Sequence, residues 1–488
     1  MNLVKDPWIP VVMQDGTPEL VSLRDVFAKG EEIADLAANP CQRIALMRLL
    51  ICIAQAALDG PKDEDDWRTC KPRIAPAALS YLDKWQDRFN LFGEHAFLQV
   101  DGLDTTTNSL ADKLDLSLAS GNNPTLFDHY AIPAGRIHRE IGLTLNLLVY
   151  QMFACGGTYS TTVWDGVSTP PNGVRRAPCV EEGMAHTLLR GHQIIETIYL
   201  NIITEKQIAS LPNMERGHPC WEEACLDRKS LEKNAATYLG RLVPVSRAIR
   251  FAEGSPVIVL GEAMRYPQLP EHREPFGTVY DTGKARIGKS TSLTYLSVNP
   301  DVAAWRELAS VLSLQSLDST IGTVGALNLE HLRTAGACEF DIWIGGLSVD
   351  QAKIIDMCEW NFTLSSSLLD SLILARYRRG VEWANHAKQT LANAIKFFAN
   401  SQKGDSGIWK KQAENLFWST LDAHAYILQS SIEDDHTLST RWVPIIDSAL
   451  LNAYSRTCPH ETPRQIQAYA QGLKVLQSWR KERDRHGA

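Results

Sequence analysis

The chain has 488 residues, 44% of them hydrophobic and 8% aromatic, which is enough apolar material for two or more cored domains and excludes a disordered polymer. Its formal charge of −8 excludes a protein that coats nucleic acid by bulk attraction. The charge is uneven, because 16 basic against 12 acidic residues from 366 onward leave about +4 there and about −12 over the rest, so local patches can still meet DNA within an assembly.

The N-terminus, MNLVKDPWIPVV, carries no apolar leader segment, and the greasiest stretch, 43–58, has Arg48 inside it; a cytoplasmic protein with no membrane partner is expected. WIPVVM (8–13), a turn at Gln14-Asp15-Gly16 and PELVSL predict an opening hairpin. Ser22 with Asp25 predicts the cap of a short helix, and Asn39 with Pro40 predicts the start of a long buried helix that ends before Gly60. LSYLDKWQDRF (79–89) predicts a further amphipathic helix. Between about 101 and 135 the chain turns polar. Gly121, Asn122, Asn123 and Pro124 continue neither regular structure, so Phe127 and His129 are expected on a surface loop. The helix LTLNLLVYQMFA (143–154) follows, with Gly156-Gly157 expected to cap it and to leave bare backbone.

The ten cysteines are scattered, as free thiols in a reducing compartment would be. His218, Cys220 and Cys225 in HPCWEEAC lack a second ligand pair, and His138 in RIHREIG reads as a polar helix face, so no metal site is expected. GKARIGKST (283–291) fits the phosphate-loop pattern letter by letter, and a P-loop NTPase using 283–290 is the alternative reading. That loop needs a helix directly behind its Lys-Ser, so that backbone N–H groups and the helix dipole meet the phosphates. The residues behind are TSLTYLSVNP, strand-like, with a helix expected only from Asn299-Pro300. A hairpin, FGTVY against TSLTYLSV with Lys284, Arg286 and Lys289 at a basic tip, fits the pattern better.

DIWIGGLSVDQAK (341–353) runs from a strand-like segment through Gly345-Gly346 into an expected loop with Ser348, Asp350 and Gln351. From about 365 the periodicity is helical throughout. The last helix shows Thr462 as cap, Pro463, Gln465 closing a capping box, and an apolar stripe of Ile466, Tyr469, Leu473, Leu476 and Trp479. The expected class is α+β: a mixed α/β domain over 1–362 followed by an antiparallel four-helix bundle over 363–488. No nucleophile elbow, H-E-x-x-H pair or other catalytic constellation assembles, so no enzyme activity and no cofactor are expected.

Several blocks together resemble the CasA family, large subunits of the type I-E CRISPR Cascade complex: DPWIPV, WQDRFNLFGEHAFLQV, SGNNPTLFDH, YQMFACGGTYS, LLRGHQIIETIYLNII and AAWRELASVL, in that order. Ala96 stands where the family usually has proline. The resemblance implies a non-enzymatic subunit that recognises the protospacer-adjacent motif on double-stranded target DNA and helps open the duplex for guide RNA. Its implied partners are the backbone, small and guide-end subunits of the guide-containing complex and a helicase-nuclease recruited afterwards. It further implies motif-binding roles for the 120–130 loop with Asn122 and Phe127, for Gly156 and Gly157, and for Lys284 in the basic hairpin. Thr158 replaces a third glycine. A duplex wedge is implied at Gly346, Asp350 and Gln351, with Asp350 where an asparagine can stand. Arg286, Lys289, Arg378 and Arg379 are expected as weaker contacts to the DNA backbone.

Overall fold

The computed structural model describes residues 1–105, 109–117, 139–158, 161–169, 172–173, 176–283, 292–314 and 322–479. The chain divides into two compact units, one of 1–302 with 313–365 and one of 303–312 with 366–488. The first mixes helices with small antiparallel sheets; the second is helical.

The opening hairpin forms as its turn residues dictate. Ile9–Met13 pairs with Pro18–Val21 around Gly16, whose φ of +85° suits a residue without a Cβ. The same strand also pairs with Ile33–Leu36 on its other edge. Ser22 and Asp25 close a capping box on the helix Leu23–Ala28, and Asn39 and Gln42 close another on Pro40–Leu58. That second helix is long and apolar enough to cross a membrane, yet most of it is buried inside its unit. Arg48 in its middle donates to the carbonyls of Leu242 (2.9 Å) and Arg241 (2.6 Å) and to Glu274 (3.0 Å). Burial alone would raise the Glu274 pKa, but the Arg241 and Arg48 guanidinium groups hold it down at about 2.

The helix expected from residue 79 starts much earlier, running Glu64–Trp85 from an Asp63 cap. Pro72 and Pro76 lie inside it. Both are exposed, so their rings and missing N–H groups face solvent and not the core. Where a helix was expected from Asn299-Pro300, the chain makes a turn, then a short 3-10 segment Ala304–Glu307 and one helical turn Leu308–Val311.

The first unit's longest strands are Glu339–Asp350 and Lys353–Ser365, paired antiparallel, with His186–Arg190 on the other side of Glu339–Asp350. Trp343 and Leu347 of this sheet join one large core with Trp8, Ile53, Phe153 and Ile249.

In the second unit, Ser371–Gln402 packs against Ser406–Asp422, Asp435–Thr457 and Pro463–Leu476, around Tyr377, Leu391, Phe398, Phe417 and Trp442. The capping box at Thr462 and Gln465 forms as expected, but the buried stripe of the last helix is shifted. Ile466 is exposed, whereas Ala468, Gly472, Leu476 and Trp479 are buried. Gly472 lets the helix approach Tyr454: a Cβ there would stand 1.9 Å from the tyrosine Oη.

Candidate nucleic-acid interface

The long hairpin carries the expected wedge residues, but not where the glycines suggested. Gly345 and Gly346 lie in mid-strand, paired with Glu359 and Cys358. A Cβ on Gly345 would stand 2.4 Å from the Trp343 ring, and one on Gly346 would stand 2.5 Å from the Met184 carbonyl. Close packing accounts for both glycines, and Gly346 is buried, so it is no part of an exposed wedge. The turn comes only at Gln351 and Ala352, between the paired ends Asp350 and Lys353. Gln351 takes φ +55°, a left-handed conformation that non-glycine residues seldom adopt. Just before it, Ser348 pairs with Asp356 and Val349 with Ile354, leaving Ile355 as an extra bulged residue that increases the local twist. Asp350 and Gln351 are both exposed at the tip.

The glycine pair also differs from expectation. The helix Glu140–Phe153 ends on Ala154, so Gly156-Gly157 is not its cap. Gly156 turns the chain at φ +94°, and Gly157 pairs with Gly173, next to Thr158 with Asn172. Neither Gly157 nor Gly173 carries a side chain. The returning chain closes on the helix end, where the Ala177 N–H donates to the Ala154 carbonyl at 2.9 Å. One residue earlier, Arg176 donates from Nη2 to the Gln351 carbonyl at 2.7 Å. Burial pushes the neighbouring Cys155 thiol up to about 11, against the opposing pull of Arg176 and Arg247, so it stays neutral.

The same stretch of chain then reaches the basic hairpin. Val279–Asp281 and Leu293–Tyr295 pair antiparallel, as the sequence predicted. The Val298 N–H donates to the Gly183 carbonyl at 2.8 Å, the Ala185 N–H donates to Leu296 at 2.7 Å, and the Thr294 hydroxyl donates to the Glu182 carboxylate. Lys284, Arg286 and Lys289 lie outside the described residues, as do Asn122 and Phe127. The strand from Leu293 leaves no room behind Lys289-Ser290 for the helix that phosphate binding requires.

Residues 176–185 therefore join three candidate elements: the glycine strand, the tip with Asp350 and Gln351, and the strands of the basic hairpin. Arg176 was not singled out from the sequence. The only signal was a basic pair after Gly173, and a brace across 175 positions leaves no local pattern.

Arg378 and Arg379 belong to the other unit, on Ser371–Gln402. Arg379 is engaged by Asp435 at 2.9 Å, while Arg378 is half-buried and makes no ion pair with a described residue. In HPCWEEAC, His218 meets Glu223, buried Cys220 faces the Val243 carbonyl, and Cys225 meets Asp227, so the three side chains point to separate partners.

A family model described as CRISPR-associated protein Cse1 matches residues 2–457. A Thermus thermophilus protein described as CRISPR-associated protein CasA/Cse1 is 27% identical over 514 residues, covering 96% of this chain and 95% of its own length. Among solved structures, Thermobifida fusca Cse1 shares the fold with a TM-score of 0.81 at 21% identity, over 99% of this chain and 98% of that one. A chain of a CRISPR RNA-guided surveillance complex does so with a TM-score of 0.77 at 18% identity, over 98% and 99%.

Proposed function

This chain belongs to the CRISPR-associated protein Cse1 family, and from that premise we propose that it is the large subunit of a type I-E RNA-guided surveillance complex, reading the protospacer-adjacent motif on duplex DNA. In this reading it is a cytoplasmic, non-enzymatic subunit without a cofactor. It starts duplex opening for guide RNA and then recruits a helicase-nuclease, and residues 363–488 form an antiparallel four-helix bundle that docks within the complex.

The observation that carries the reading is the convergence on 176–185 of three elements suited to different parts of a duplex. Glycine backbone can approach a minor groove closely, and a lysine can meet the acceptors there. That groove offers a degenerate code, so the motif is read loosely. The exposed tip then needs only to offset unstacking, which costs a few kcal/mol per step. Gln351 has an amide that can both donate and accept toward a base edge; Asp350 carries a charge that phosphates repel, which leaves Gln351 as the working side chain.

Reconstituted complex carrying Lys284→Ala with Gln351→Ala is expected to bind a motif-bearing duplex about 10- to 100-fold more weakly, as loss of two polar contacts predicts. Unchanged affinity in an equilibrium binding titration would remove the assignment.

A further inference from the structure

We propose that Arg176 is a positioning residue for duplex opening: its guanidinium holds Gln351 in place at the hairpin tip and ties that tip to the glycine strand. The proposal rests on the wedge reading above and adds a residue to it.

A two-residue loop with its first residue left-handed is normally built with glycine or asparagine. This loop has Gln351 at φ +55° followed by alanine, so its conformation must be secured by something outside the loop. The Ile355 bulge beside it removes one ladder pairing and so does not supply that support. Arg176 does, by a charge-assisted bond of 2.7 Å to the Gln351 carbonyl, which is stronger than a neutral one. The bond engages the backbone and leaves the Gln351 amide free to act on DNA.

The other end of the brace is also fixed. The Ala177 N–H is bonded to Ala154, two residues before Gly156, and Pro178–Gly183 continues directly into the packed sheet. A shift of the glycine strand on a duplex would therefore reach the tip through Arg176. A lysine could place charge there, but its flexible stem would orient the carbonyl less well than a planar guanidinium.

Two measurements test this. In the isolated chain, amide hydrogen exchange over 350–355 is expected to be about tenfold faster in Arg176→Ala and intermediate in Arg176→Lys; an unchanged rate overturns the proposal. In the guide-loaded complex, opening is followed by 2-aminopurine fluorescence at the base pair beside the motif. Arg176→Ala is expected to slow opening about tenfold, to add nothing in a Gln351→Ala background, and to leave binding to a target pre-opened by mismatches at the wild-type rate. Additivity with Gln351→Ala, or an equal loss on the pre-opened target, overturns the positioning role. A faster tip with opening unaltered in both single variants leaves the brace standing and removes the wedge reading.

Discussion

At the scale of single residues, buried histidines of the mixed unit, His331 and His186 among them, make its stability depend on pH. His331 donates from Nε2 to the Ile202 carbonyl at 2.7 Å and stacks on Trp67, with ring centroids 4.0 Å apart. Burial lowers its pKa to about 4, and burial with the Arg48 charge lowers that of His186 to about 4 as well. Above the ordinary value of 6.5 both are neutral whether the chain is folded or not. As pH falls from 6.5 toward 4, the unfolded chain takes up protons that the folded chain refuses, and stability declines. Glu274 has the opposite charge type but acts in the same direction, contributing stability above about 4.5 that is lost as pH falls toward 2. His331→Gln keeps a donor and removes one titration. It is expected to be less stable at pH 7 but to lose roughly 2 kcal/mol less than wild type between pH 7 and 5, read from urea-dependent amide exchange of Glu64–Trp85. Equal losses would show that His331 is not buried neutral. Gly472 makes a steric claim of the same local kind. Gly472→Ala should cost about 1–3 kcal/mol against the Tyr454 Oη, and Tyr454→Phe should recover part of it, because the hydroxyl that blocks the Cβ is then gone.

At the scale of elements, what could be read from the sequence depended on whether a local rule governed the element. Both early capping boxes and the box at Thr462 form because a short side chain and a residue three positions on satisfy the same helix end. The hairpin around Gly16 and the pairing of Val279–Asp281 with Leu293–Tyr295 follow likewise from turn residues and alternation. The long hairpin misled for a physical reason: its glycines serve packing against Met184 and Trp343, while its turn uses Gln351 and Ala352, which no turn rule selects. The sequence offers the glycine pair, the Asp350-Gln351 segment and the basic hairpin as separate candidate elements, but not Arg176, whose bond to Gln351 spans the fold and leaves no local pattern. The amphipathic pattern at 79–89 marks only the end of the helix Glu64–Trp85, whose earlier turns hold Pro72 and Pro76, residues that normally end helices. Packing of Trp67, Cys70, Ile74, Ala78 and Leu82 on the core overrides them. Pro76→Ala should then restore a donor at an exposed position and stabilise the mixed unit by about 1–3 kcal/mol, offset in part by a more flexible unfolded chain. A urea midpoint that fell instead would mean that the proline ring at 76 is itself required.

At the scale of the whole molecule, the chain leaves its first unit at 302, contributes 303–312 to the second, and returns at 313 before leaving again at 365. The intervening segment supplies Trp305, which is 3% exposed, donates from Nε1 to Asp422 at 2.7 Å and sets its ring edge-on to Trp418 and Trp442. Its carbonyl accepts the Tyr377 hydroxyl at 2.7 Å, and Arg306 lies 4.1 Å above the Trp418 ring. A cut at the obvious boundary therefore removes part of the helical core and strips the buried Tyr377 hydroxyl of its partner, a penalty added to that of the cavity. A fragment of 366–488 is expected to keep helical far-UV ellipticity, to lose near-UV ellipticity, and to unfold at lower urea than the same helices in the intact chain. Trp305→Ala in the full chain should destabilise the helical unit by about 3–5 kcal/mol, and a peptide of 303–312 added to the fragment should restore part of the near-UV signal. A fragment with native near-UV ellipticity and an unshifted midpoint would show that the helices hold their core without Trp305, and that the unit is separable at one point in the chain.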